Sequence, residues 1–282
     1  MKIAFWSPVH GQTGTTSNML AVALTISLAG RKRCLLTQTH FNFNNLEAPL
    51  VGSNSKNTAS SDYFRDVGLD ALIRNFKSCK LNRDILDNCC VTFQNTNISL
   101  LPGTSKSNKD SFEYEMNNVL LNLLRTMEEL TGILFIDICS GDNPLSLKII
   151  ADSDLTVVNL SQNIGMIDTF LNNNKETMQK KVFFLMGNYD RQSKYNLQNL
   201  RRRYWKQISV LNSGTIPYNA NFLDAMNDGK VIEFLKANLG CEKEDENYYF
   251  IQQVRKAADK ILKITGFGAG TQVRIKEDGD IS

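Results

Sequence analysis

Histidine is scarce in this sequence: His10 and His40 are the only two in 282 residues. The six cysteines, at positions 34, 79, 89, 90, 139 and 241, include no C-x-x-C pair. Zinc centres draw on clustered thiolates and imidazoles, so this composition argues against one. Cys34 and Cys139 fall in strand-like runs, where cysteine is expected to act as a small buried hydrophobe, and the pattern fits a reducing cytosol. Long apolar runs are missing as well. No segment approaches the roughly 18 apolar residues that a spanning helix needs. The opening Met1-Lys2-Ile3-Ala4-Phe5-Trp6 passes into Ser7-Pro8 and glycine, so no secretory signal is expected. The net charge of +3 gives no electrostatic reason to expect a nucleic-acid partner.

What the chain does have is a sizeable core. Hydrophobic residues make up 42% and charged residues 22%, as in a globular protein. Short apolar runs at 2–6, 33–37, 98–101, 132–137, 155–160 and 182–186 read as strands, with one more near Val210 and Ile216. Helical patterns separate them. Residues 17–29 have helical apolar spacing and stop at Gly30, and residues 112–130 place Met116, Leu120, Leu123, Leu124 and Met127 on one face. This alternation predicts an α/β fold: a mostly parallel sheet with helices on both faces, a three-layer sandwich. Ligands of such sheets bind beyond the carboxyl ends of the strands. One domain is expected over residues 1–265, with a polar surface excursion at 42–61 and a flexible tail at 266–282.

The segment Gly11-Gln12-Thr13-Gly14-Thr15-Thr16-Ser17 lies between the first strand and the first helix. A glycine-bearing loop there turns backbone N–H groups into one concavity, and the helix N-terminus adds partial positive charge; together they bind phosphate with few charged side chains. Thr16 is placed to offer a hydroxyl to Mg²⁺. The competing reading is an ordinary strand-to-helix turn with threonine caps.

In the same frame, His10-Gly11-Gln12-Thr13-Gly14-Thr15-Thr16-Ser17 resembles the loop K-G-G-x-G-K-T-T of the MinD/ParA family of deviant P-loop ATPases. The G-x-x-G-T-T form is closest to the TadZ/CpaE branch, which helps place pilus machinery at cell poles. Other segments follow in the family's order. Phe43-Asn44-Asn45-Leu46-Glu47 is similar to the segment after its second strand, and Leu100-Leu101-Pro102-Gly103 to its third-strand end. Phe135-Ile136-Asp137-Ile138-Cys139-Ser140-Gly141 resembles the Walker B run. Leu185-Met186-Gly187-Asn188 resembles the strand end whose asparagine reads adenine, and Ile216-Pro217-Tyr218-Asn219 the region near the base. The resemblance covers about residues 1–235. It implies ATP or ADP as ligand with Mg²⁺ at Thr16 and Asp137, and a nucleotide contact at Gly11 to Ser17, Asn188 and Pro217. It also implies a homodimer, protein partners of a positioning or pilus-type machine, and a cytoplasmic location with recruitment to the membrane or pole.

The departures concern catalysis. His10 and Thr15 stand where the family has lysines, and Gln38 and His40 where it has switch aspartates. Phosphoryl transfer rests on charge stabilisation and positioning, so hydrolysis is expected to be weak or absent. Asp137 is read either as a Mg²⁺ support through water or as a strand-end carboxylate, and His40 as a surface residue without a special role. His10, at the loop entrance, could contact phosphate. Asn188 is read as an adenine contact or as a turn residue. Arg201-Arg202-Arg203-Tyr204-Trp205-Lys206 is expected on a solvated helix rather than against DNA, and the helix at 248–265 to pack on the sheet in preference to lying on a membrane. Three functions remain: a nucleotide-binding positioning protein, an active partition ATPase using substitute residues, and a scaffold that no longer binds nucleotide.

Overall fold

The computed structural model describes residues 1–30, 33–41, 46–52, 67–174 and 181–266. Most of the excursion expected at 42–61, including Phe43, Asn44 and Asn45, lies outside the described residues, as does the tail from 267 onward. Eight strands form one sheet: β1 Lys2–Trp6, β2 Cys34–Gln38, β3 Val91–Thr92, β4 Ile98–Leu100, β5 Ile133–Asp137, β6 Leu155–Leu160, β7 Val182–Tyr189 and β8 Ser213–Pro217. Their order is β3-β4-β2-β5-β1-β6-β7-β8, and every pair is parallel except β3 with β4.

The central strands are apolar at nearly every position because helices cover both faces. Alternate side chains feed two separate cores. Ala4, Trp6, Leu134, Ile136 and Val158 pack with α5 (Lys109–Leu130), α6 (Pro144–Asp152) and α7 (Ile164–Asn173). Ile3, Phe5, Phe135, Val157 and Leu185 pack with α1 (Thr15–Ala29), α10 (Val231–Asn238) and α11 (Tyr248–Ile264). Between these helices run α2 (Glu47–Val51), α3 (Leu69–Lys77), α4 (Arg83–Asn88), α8 (Leu197–Arg203) and α9 (Ala220–Asp228). Helix α1 is buried from Asn18 through Ser27, not along one stripe, since α10 and α11 cover the side that the sheet does not.

Local differences from the sequence reading have local causes. Helix α5 begins three residues earlier than its apolar face, because the Asn108 side chain accepts a hydrogen bond from the Ser111 N–H at 2.8 Å and caps it. Val210 is exposed and β8 starts only at Ser213. The basic cluster is divided. Helix α8 ends at Arg203, Arg201 turns inward to donate to Ser213 Oγ at 2.9 Å, and Arg203 pairs with Asp168 at 3.3 Å. Helix α11 packs Phe250, Ile251, Val254, Ala258 and Ile261 into the core beside β8 and α1. Among the described residues no helix is long and apolar enough to cross a membrane.

Candidate functional site

Strand β1, in the middle of the sheet, delivers the loop before α1 to the carboxyl edge. Gly14 is the residue preceding α1 and takes a left-handed conformation, φ +65°, that L side chains avoid. Among the described residues no side chain caps α1, which leaves its first-turn N–H groups for a ligand or solvent. The Ser17 hydroxyl donates to the Gly14 carbonyl at 2.9 Å, and the Thr13 and Thr15 hydroxyls lie 3.1 Å apart.

The loop is held from beneath by two buried amides. Asn18 Nδ2 donates to the Thr13 carbonyl at 2.9 Å and to Asn159 Oδ1 at 3.0 Å, and Asn159 Nδ2 donates to the Trp6 carbonyl at 3.2 Å. Strand β7 presses against the same point. A methyl group at Gly187 would run into the Thr13 carbonyl and sit 2.5 Å from Asn18 Nδ2. None of Asn18, Asn159 or Gly187 is singled out by motif reading for this task. The signal available for Asn159 is an amide, beside the smaller Thr156, inside the mainly apolar run Leu155–Leu160.

Asp137 ends β5 and is fully buried. Its Oδ2 accepts the Thr16 hydroxyl at 2.6 Å, and its Oδ1 faces His40 Nε2 at 3.4 Å. His40 is therefore not a surface residue; it is 8% exposed, with Nδ1 at 3.3 Å from Cys139 Sγ. Nor is Cys139 a buried hydrophobe: it is half-buried just beyond β5. The His40–Asp137 contact is too poorly aligned to be a hydrogen bond and acts as an ion pair. Burial would push the imidazole toward its neutral form. The Asp137 carboxylate and the Cys139 sulfur outweigh that and carry its pKa up to about 10. Gln38, the other substituted switch position, turns away and donates to Glu47 Oε2 at 3.2 Å.

A cleft of about 550 Å³ joins these groups, within the size range of ligand sites. It gathers Gly11, Thr13, Gly14, Thr15, Thr16, Ser17, Asp137, Asn188 and Pro217; Gln12 is exposed and does not line it. Asn188 sits in a bulge of β7 at φ +47°, across from Pro217, Tyr218, Leu223 and Met226. Among the described residues lining the cleft none is Lys or Arg, whereas both histidines are there.

The backbone donors and the glycine at the helix entrance fit a polyphosphate. The same cleft fits Mg²⁺ poorly. That ion asks for near-octahedral oxygen ligands and keeps waters that need acceptors of their own. Among the described residues lining the cleft Asp137 is the only carboxylate, with Oδ2 accepting the Thr16 hydroxyl and Oδ1 facing His40. Among the described residues no group of three or more His, Cys, Asp or Glu side chains is placed to hold a metal.

A mostly parallel sheet whose central strand runs through a glycine loop into a helix N-terminus, with helices on both faces, is the P-loop NTPase architecture of ParA and MinD. No protein-family model and no curated protein matches the sequence. Solved structures do match. A ParA family ATPase from Chlorobium tepidum TLS is 13% identical with a TM-score of 0.69, over 91% of this chain and 98% of that one. The septum site-determining protein MinD from Pyrococcus horikoshii OT3, complexed with Mg-ADP, is 14% identical with a TM-score of 0.65, over 96% and 100%. A chain of the MinC:MinD cell division protein complex from Aquifex aeolicus is 12% identical with a TM-score of 0.58, over 98% of each chain. At these identities the likeness is one of fold.

Proposed function

We propose that this chain is a nucleotide-binding positioning or scaffold protein of the MinD/ParA type, with TadZ/CpaE proteins as the nearest branch, and that its hydrolysis is weak or absent. The observation that carries the reading is the uncapped N-terminus of α1 behind Gly14, opening into a cleft that ends at Asn188 and Pro217. ATP or ADP would place its phosphates on the amides from Gly11 to Ser17 and its base between Asn188 and Pro217. Thr15 supplies no charge where the family's lysine would, and His40 supplies no acid, so the barrier to phosphoryl transfer stays high. Calorimetric titration with ATP, ADP and GTP tests binding. We expect adenine nucleotides to bind and phosphate release to stay near background. Robust hydrolysis that Asp137→Ala abolishes would favour the active ATPase, and no heat with any nucleotide would leave the ligand-free scaffold.

The MinD of Aquifex aeolicus is seen with MinC, which makes a protein partner the natural expectation for this fold. Residues 1–265 would act as one domain in the cytoplasm, recruited to membrane or pole through such partners. We further propose a homodimer in which nucleotide has little control, because no lysine stands at position 10 to reach into a partner's site. Light scattering at matched concentrations should give the same dimer with and without ATP. A monomer under both conditions removes the dimer, and a monomer converted wholly by ATP shows that nucleotide governs assembly.

A further inference from the structure

We propose that this site takes its nucleotide as the metal-free anion, with the His40 ring standing against Asp137 where a hydrated divalent cation would otherwise lie. The inference rests on the nucleotide reading above and goes beyond it. It begins with the register of the sheet. Strands β2 and β5 pair Gln38 with Asp137, and the Thr39 N–H donates to the Asp137 carbonyl at 3.0 Å. That contact turns the chain so that residue 40 comes back over the carboxylate. The ring then stands with Nε2 at 3.4 Å from Asp137 Oδ1 and Nδ1 at 3.3 Å from Cys139 Sγ. It is buried among these partners and fills the side of Asp137 that Thr16 leaves open.

A bound Mg²⁺ keeps several waters, and those waters need acceptors. The approach to Asp137 is narrowed on both sides, with Oδ2 accepting from Thr16 and the His40 ring standing at Oδ1. Gln38 is committed to Glu47, and among the described residues no second carboxylate lines the cleft. The phosphate charge has other partners. The first-turn amides of α1 are left uncapped to face it. The ligand class is therefore a free nucleoside di- or triphosphate, taken without the metal that accompanies ADP in the Pyrococcus horikoshii structure.

The test is titration of ADP into the full-length wild-type protein, once in excess EDTA and once in Mg²⁺. Mg²⁺ should tighten binding by no more than about threefold. His40→Asp places a second carboxylate beside Asp137, and in that variant Mg²⁺ should tighten binding by about tenfold or more. The wild-type comparison stands whether or not the variant folds. Wild-type affinity that falls about tenfold or more in EDTA overturns this inference alone and leaves the nucleotide reading intact. No binding under either condition overturns both.

Discussion

Replacing Gly14 with valine should weaken ADP binding by about 100-fold or more, roughly 2.7 kcal/mol, while the protein still folds. Two effects combine. The φ of +65° at Gly14 costs a non-glycine residue about 1–2 kcal/mol, and a β-branched one suffers most. The new Cβ would also lie 2.9 Å from Ser17 Oγ, the hydroxyl that donates to the Gly14 carbonyl. Ser17 is a short side chain that can rotate away, so the crowding is relieved locally and the sheet is untouched. The entrance of α1 is not spared. Its amides re-aim, and the valine methyls occupy the surface that phosphate would touch. Calorimetry against ADP, with thermal melting as the control for folding, checks this. Wild-type affinity in a folded Gly14→Val protein would remove the phosphate loop from the site.

Gly187→Ala should be the more damaging of the two to the fold. The methyl meets the Thr13 carbonyl, which is backbone, and the Asn18 amide, which is engaged on both sides. Neither can rotate away. Either β7 moves outward or the loop lifts off Asn18, and overpacking of this kind costs roughly 1–3 kcal/mol. In a chain of this size that lowers the melting temperature by about 2–10 °C. Nucleotide affinity should fall with it, because Thr13 is part of the loop that carries the phosphate donors. Gly240→Ala is the matched control, since a methyl there meets nothing within 4 Å. Equal melting temperatures for the two variants would refute the contact between β7 and the loop.

Strands buried on both faces are legible because they read as mainly apolar runs, and the run at 155–160 coincides with β6 to the residue. Strand β3 is not legible. It has two residues, Val91 and Thr92, at the sheet edge, where no pattern can accumulate. The glycine loop was readable from its place between a strand and a helix. His40 was not, because its role depends on a register that sets Gln38 opposite Asp137, a pairing between residues 99 apart that no local spacing encodes. Gly187 failed to stand out for a related reason. It lies beside Asn188, whose motif position drew the reading toward the base, whereas the glycine's contact is with Thr13, far away in sequence. The arginine cluster was legible only as a helix surface: the end of α8 sends Arg201 inward to Ser213 and Arg203 to Asp168, partners that no local spacing names.

The buried amides of Asn18 and Asn159 tie the loop to the Trp6 carbonyl at the end of β1, and Gly187 wedges it against β7. The loop therefore surrenders its conformational freedom when the protein folds, not when a ligand arrives. A nucleotide would meet a rigid receptor and gain affinity from that stiffness. The same stiffness makes the loop a poor messenger, since a part that cannot move cannot report occupancy. News of a bound nucleotide would have to leave by the opposite wall of the cleft. There α2 and α9 pack on each other and contribute Ala48, Pro49, Phe222 and Met226, on elements that Asn18 and Asn159 do not anchor.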